Sequence, residues 1–229
     1  MQTPNSQTPV SRVVSAARFL LAALVQLAET ADLAPTLQAS FDALVASIAA
    51  TAAADDATIA PRVGLRFAER SIELTIRLIA VAAKGLDGGK TGGRIATALF
   101  PDGLLATIVP QTEEQHAVAT QLLHRLGANE IAAPLRSVHE PALRTALDDL
   151  RRGIEERTTA LDAHDQAFQH ELAARDALIR AYDTVANSVR ARFPKDRAQQ
   201  DVFFEILRGP STPATPDDPT VDAHPTPTS

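Results

Sequence analysis

The chain has 229 residues, a formal net charge of −6, no cysteine, no tryptophan and only 4% aromatic residues. A cysteine-free sequence excludes disulfides, thiolate metal sites, thiol nucleophiles and cysteine-ligated clusters together, and its Ala, Leu, Arg and Glu favour helices over strands. The negative charge lies beyond residue 110, where nineteen Asp and Glu face thirteen Lys and Arg, which argues against a nucleic-acid binder.

Residues 1–9 carry two prolines and little that is apolar, so they are expected to be a disordered terminus. Residues 19–28 (FLLAALVQLA) follow Arg12 and Arg18 in the manner of a signal sequence, but Glu29, Thr30, Ala31 and Asp32 stand where a small-residue cleavage site belongs. The same stretch is shorter than the ~20 residues that span a bilayer, so the expectation is a cytoplasmic protein without membrane contact.

Helix begins near Val10 or Ser11, with Val14, Ala17, Leu21, Leu24, Ala28 and Ala31 on one face. Asp32-Leu-Ala-Pro35 predicts either a stop and restart with Asp32 as cap or a proline kink in one long helix, and helix continues to about Ala54 in both. After Pro61, Leu65, Ala68, Ile72, Ile76, Ile79 and Ala83 form one seam, thickened by Phe67, Leu74, Leu78 and Val81; this is the most apolar helix and the expected centre of the fold. Residues 112–126 form another, with Thr112 and Gln115 as a capping box and Gly127 as terminator.

The longest periodic stretch covers 137–193, opened by a Ser137 and Glu140 box. Unbroken, it would run ~80 Å at 1.5 Å per residue, so a break or bend is expected near Gly153 or between 162 and 166, unless an unbroken, kinked helix over 10–54 partners it. Asp196 with Gln199 predicts a further cap, and Val202, Phe203, Ile206 and Leu207 a short amphipathic helix ended by Gly209. Phe203 and its neighbour point about 100° apart on such a helix, so Phe203 is expected to be buried and Phe204 to face a partner. Residues 209–229 are rich in proline and threonine and predict a disordered acidic tail.

Residues 85–110 break the pattern. Five of the ten glycines lie between 85 and 93, which predicts a mobile segment over 85–94. Gly85 to Thr91 resembles a phosphate-binding loop, but the spacing between its glycines is one residue short and no strand precedes it. Lys84, Lys90 and Arg94 among the glycine amides remain candidates for holding an anion. Beyond them, 95–100 and 104–109 are two apolar runs around Pro101-Asp102-Gly103, which predicts a small β-hairpin with one face on the helices.

The remaining chemistry is eliminated in turn. Glu113 and His116 form a lone Glu-x-x-His without the second copy that a helical di-metal site needs. Arg62, Arg66 and Arg70 make a basic stripe, but Glu69 and Glu73 neutralise it and predict a solvated face. No nucleophile elbow is present. The expectation is therefore an all-α protein, an elongated antiparallel bundle of four to five helices over 10–208 with a short C-terminal helix and the inserted hairpin, with no catalytic residue, metal or cofactor. Its expected function is that of a non-enzymatic structural or protein-interaction module, with a protein as partner and no nucleic acid. The alternative is an enzyme, or a small-ligand- or anion-binding protein, with its site where the 85–110 loop meets the bundle.

Overall fold

A computed structural model of the protein describes residues 3–90 and 92–204, and every regular element among them is helical. In chain order these are α1 (Val10–Leu24), α2 (Ala34–Ala57), α3 (Ile59–Leu86), α4 (Arg94–Leu99), α5 (Leu104–Ile108), α6 (Thr112–Ala128), α7 (Ala133–Arg192) and α8 (Arg197–Val202), with 3-10 turns at Ala31–Leu33 and Glu130–Ala132. The residues group into two compact units: Ala43–Ala174, and the two chain ends, up to Asp42 and from Arg175 onward. The division falls inside α2 and inside α7.

In the unit made by the chain ends, α1 buries Val13, Ala16, Ala17, Leu20, Leu21 and Leu24. It stops earlier than the periodicity suggests, because the buried Thr30 donates its hydroxyl to the carbonyls of Leu24 at 2.8 Å and Leu27 at 3.2 Å and closes a turn there. Helix restarts at Ala34 with Pro35 in its first turn, where the missing N–H costs nothing. Asp32 has another role than capping: Arg192 grips its carboxylate with both Nη atoms, at 2.6 and 2.7 Å, and also donates to the Glu29 carbonyl. This bidentate pair holds the Asp32 carboxyl below its ordinary range and raises the Arg192 guanidinium. Residues 5–8 form a turn whose Ser6 and Thr8 carbonyls accept from Arg175 Nη2, each at 2.6 Å.

Asp196 caps α8 as its spacing predicts, accepting from the Gln199 N–H at 2.9 Å. The helix ends at Val202, however, so Phe204 lies beyond both the helix and its cap residue Phe203. The helical step no longer separates the two rings, and both are buried: Phe203 stacks on Phe193 at 5.9 Å, and Phe204 meets the Tyr182 ring at 6.3 Å and the Arg190 guanidinium at 5.8 Å. The predicted continuation through Ile206 and Leu207 and the 209–229 tail lie outside the described residues.

The core of the larger unit joins the predicted α3 seam to α4, α5, α6 and the first turns of α7, through Ile72, Ile76, Ile79, Leu99, Leu122, Leu126, Leu143 and Leu150. α7 has no break at Gly153 or at 162–166. A Cβ on Gly153 would stand 3.2 Å from the Leu65 Cα, so this glycine permits a close helix approach and is not a hinge. Ser137 lies inside α7, and Glu140 accepts from Arg144 at 2.6 Å in place of forming a box. Gly127 is likewise inside its helix; Asn129 ends α6, its backbone N–H and its Nδ2 both donating to the Arg125 carbonyl.

The predicted β-hairpin is absent: 94–99 and 104–108 are the short helices α4 and α5. Two physical reasons account for this. The Asp87 carboxylate accepts the N–H groups of Ile95 at 3.1 Å and Ala96 at 2.9 Å, satisfying the first donors of α4 as an N-cap would. The burial pattern is also helical: Ile95 and Leu99 turn inward, as do Leu104 and Ile108, while Leu105 and Val109 both face out. A strand would carry i, i+2 and i+4 on one face, but Thr97 and Ala106, midway between the inward residues, are exposed, as a helix requires. Pro101-Asp102-Gly103 is a turn as predicted, with Gly103 at φ 86°, but it joins helices.

Candidate functional site

Three places in the larger unit bear on function, and α3 contributes to each. The first is the glycine-rich corner. Lys84 sits in the last turn of α3, after which the chain reverses through Gly88, Gly89 and Gly92 at φ between 68° and 81°, a region open to glycine at no steric cost. Lys84 and Lys90 are brought to one cavity of about 320 Å³, whose other walls include Ala80, Ala96, Phe100 and Leu104. Arg94, the third predicted anion ligand, opens α4 and does not line it. The arrangement offers two ammonium groups over an apolar wall.

The second place is the outward face of α3. Phe67 is 74% exposed, Leu78 61% and Val81 69%, with Val63 and Leu74 also exposed. At 100° per residue these five fall within an arc of about 60°, opposite the buried Leu65, Ile72, Ile76 and Ile79. Arg66, Arg70 and Arg77 run along one edge of this stripe; Gly64 and Ser71 lie along the other. Glu73 sits on the basic edge, bonded to Arg70 at 2.8 Å and to Arg77 at 2.7 Å, and these two partners hold its carboxyl below the ordinary range. The basic stripe seen in the sequence thus borders an apolar strip.

The third place is the junction of α3 with the start of α6. Thr112 does not act as a capping residue: it is the first residue of α6 and the only non-glycine at positive φ among the described residues, at 55°. A β-branched residue there stores ~1–3 kcal/mol of strain. The Glu69 carboxylate holds it, accepting from the Thr112 N–H and hydroxyl, both at 3.1 Å. Gln115, the other half of the predicted box, is 3% exposed, and its Oε1 has no hydrogen-bond partner. Glu69 and Gln115 were missed as a pair because they lie far apart in sequence, and only a buried orphan acceptor could have drawn attention to them.

Phe204, the interaction candidate of the C-terminal segment, is an interior residue, 6% exposed. Among the described residues no group of three or more His, Asp or Glu is placed to hold a metal ion. Among the described residues one helical stretch, 31–86, is long and apolar enough to cross a membrane by length and composition: its best window has a mean hydropathy of 1.3 and is 11% buried. This stretch differs from the one weighed in the sequence, and over 43–57 it buries Leu44 alone. Comparisons with family models, with curated proteins and with solved structures found nothing that matches this chain.

Proposed function

We propose that the protein is a cytoplasmic, non-enzymatic interaction module, an antiparallel helical bundle that docks an acidic amphipathic helix of a partner protein on the outward face of α3. The observation that carries this reading is the strip Val63, Phe67, Leu74, Leu78 and Val81, since contiguous exposed apolar side chains of this size mark contact surfaces. Its width favours a helix as occupant: a coiled-coil seam is narrow, whereas a helix that lies in a membrane interface presents a broad apolar face. The flanks agree, because small residues on one edge let a second helix approach and the arginines on the other match a row of acids. A second copy of this chain paired antiparallel would bring the edge of Arg66, Arg70 and Arg77 against its own equivalent, and paired parallel would set that edge against Gly64 and Ser71, so neither arrangement supplies a row of acids.

Photo-crosslinking tests this directly, with a benzophenone amino acid at Phe67 of the full chain in its native cell. The expected result is a discrete adduct with another protein that disappears when Leu78→Asp is added. No adduct, an adduct with itself alone, or flotation with anionic vesicles that Leu78→Asp abolishes would overturn the reading. The Lys84 and Lys90 cavity supports a second reading, a binding site for an anion with an apolar body; retention of a fluorescent fatty carboxylate, lost in Lys84→Gln, would favour it.

A further inference from the structure

The larger unit is thinly covered away from its core. No residue between Leu44 and Leu65 is buried, and on α7 none is buried from Ile154 to Ala174. Helix as bare as this draws little stability from packing. Beyond Leu65, α3 shares a core with α7 before Gly153, and Leu65 lies against Gly153 itself, so the two helices run antiparallel. The stretch 31–86 continues past that point as one helix. Along it the half-buried Ser47, Thr51, Ala54 and Thr58 recur at three- and four-residue steps. Ala160, His164, Ala167 and Glu171 repeat the same steps on α7, which makes a seam of mostly small side chains.

Beside this seam each helix carries larger apolar side chains. Val45, Ile59, Leu161 and Phe168 are each between 40% and 49% exposed. At 100° per residue Val45 and Ile59 lie within ~40° of each other and Leu161 and Phe168 within ~20°, each pair about a quarter-turn from its seam in the same rotational sense. Two antiparallel right-handed helices then show both pairs on one side. Ile48 and Ala52 lie between the first two, and Leu172 extends the second line. The result is an apolar groove ~21 Å long from Val45 to Ile59, about four turns of helix, which ends one turn before the α3 strip begins at Val63.

The surroundings of the groove are acidic. Residues 43–61 and 155–174 hold seven Asp and Glu against Arg157 alone, and of these acids only Glu155 has an arginine partner, Arg151 at 2.8 Å. Asp55, Asp56 and Asp165 flank the groove. The first two carboxylates are unpaired among the described residues, and the third meets only His164 Nδ1 at 3.3 Å. A surface of this charge repels anionic lipid, and a second copy set face to face on it would bring acids against acids. An amphipathic helix with Lys and Arg beside its apolar stripe is matched in both respects, since grooves between helices take such partners by their apolar anchors.

We propose that this groove docks a basic amphipathic helix of a partner protein. Its apolar anchors lie between Ile59 and Phe168, and its cations reach Asp55, Asp56 and Asp165. The site shares no residue with the α3 strip and takes a helix of opposite charge, so neither docking surface depends on the other.

Fluorescence anisotropy of the full chain tests the proposal. The probe is a labelled amphipathic Leu-Lys peptide of about 14 residues, long enough to span the groove; the controls are a Leu-Glu helix and a scrambled Leu-Lys sequence of the same composition. The probe is expected to bind and the controls to bind far more weakly. Phe168→Asp should weaken binding about tenfold or more, as loss of a central anchor does. Asp55→Asn combined with Asp56→Asn leaves the apolar groove intact and should weaken it about threefold, with a flatter salt dependence. All of these positions are exposed, so both variants should melt close to the wild type. Phe67→Asp, on the α3 strip, should change nothing. Equal binding of either control, binding that survives Phe168→Asp, or binding lost in Phe67→Asp would overturn the assignment. So would sedimentation of the chain alone as a dimer that Phe168→Asp dissociates, which would give the groove to a second copy.

Discussion

α3 presents two apolar faces of similar strength that meet opposite fates. Ile72, Ile76 and Ile79 are wholly buried, while Phe67, Leu78 and Val81 across the same helix are more than half exposed. Periodicity locates both, yet nothing in the periodicity says which one the rest of the chain will cover. Covering is a tertiary event, decided here by where α4 to α7 lie. An apolar stripe in a sequence is therefore a statement about demand for a neighbour, and the neighbour need not belong to the same chain.

The sharpest way to break this comparison is to truncate each face. Ile76→Ala should cost about 4 kcal/mol, as deletion of a fully buried aliphatic chain does, whereas Phe67→Ala should stay within ~0.5 kcal/mol. Urea denaturation of both variants decides it, and equal costs would mean that the outward strip is covered in the free protein. The same contrast extends to the C-terminal aromatics, where the structure places both rings inside. Phe203→Ala and Phe204→Ala should each cost about 3 kcal/mol; a Phe204 variant as stable as the wild type would put that ring back on the surface.

Glycines offer a finer probe of inside against outside. Gly64 has open space around it, so Gly64→Ala should gain about 0.5 to 1 kcal/mol from helix propensity. Gly153 faces the Leu65 backbone, which cannot yield as a flexible side chain would, and Gly153→Ala should lose about 1 kcal/mol net in the same assay. The smallest effect belongs to the exposed Asp32 and Arg192 pair. Arg192 depresses the folded pKa of Asp32 below the ordinary carboxylate value of 3.8. The stabilisation is therefore complete above that value and is lost as pH falls through the folded pKa. Melts at about pH 6 and about pH 3 should show Asp32→Asn losing less on acidification than the wild type.

What could be read from the sequence divides along the same line. The α3 seam, the restart at Ala34, the Asp196 cap and the helical class follow from spacing and local chemistry, and all are present. The failures each involve a residue distant in the chain. Residues 95–109 have β-leaning side chains, and only the Asp87 carboxylate, eight and nine positions upstream of the amides it accepts, satisfies the first turn of α4. Thr112 and Gln115 match a capping box in isolation, but Glu69 replaces it from α3. Gly153 looks like a helix breaker until Leu65 is seen against it. Of the candidate anion ligands, Lys84 and Lys90 share a cavity because the glycine turn folds one over the other, whereas Arg94 is spent on opening a helix.

The carboxylate of Asp87 acts as a clasp on the glycine-rich corner, and that has a consequence for how this chain can be altered. A Cβ on Gly93 would overlap the Asp87 carboxyl carbon, so Asp87 and Gly93 are fixed in kind, and Gly93→Ala should unfasten the clasp and expose the Ile95 and Ala96 amides to rapid exchange. Gly88, Gly89 and Gly92 between them are held to glycine by their positive φ, but nothing packs against them that fixes the length of the turn. Lengthening a closed loop costs little, about 0.6 kcal/mol for each doubling, so a peptide grafted after Gly89 should be carried without disturbing α3 or α4. That makes the corner a place where the chain accommodates insertions, whether by engineering or by descent.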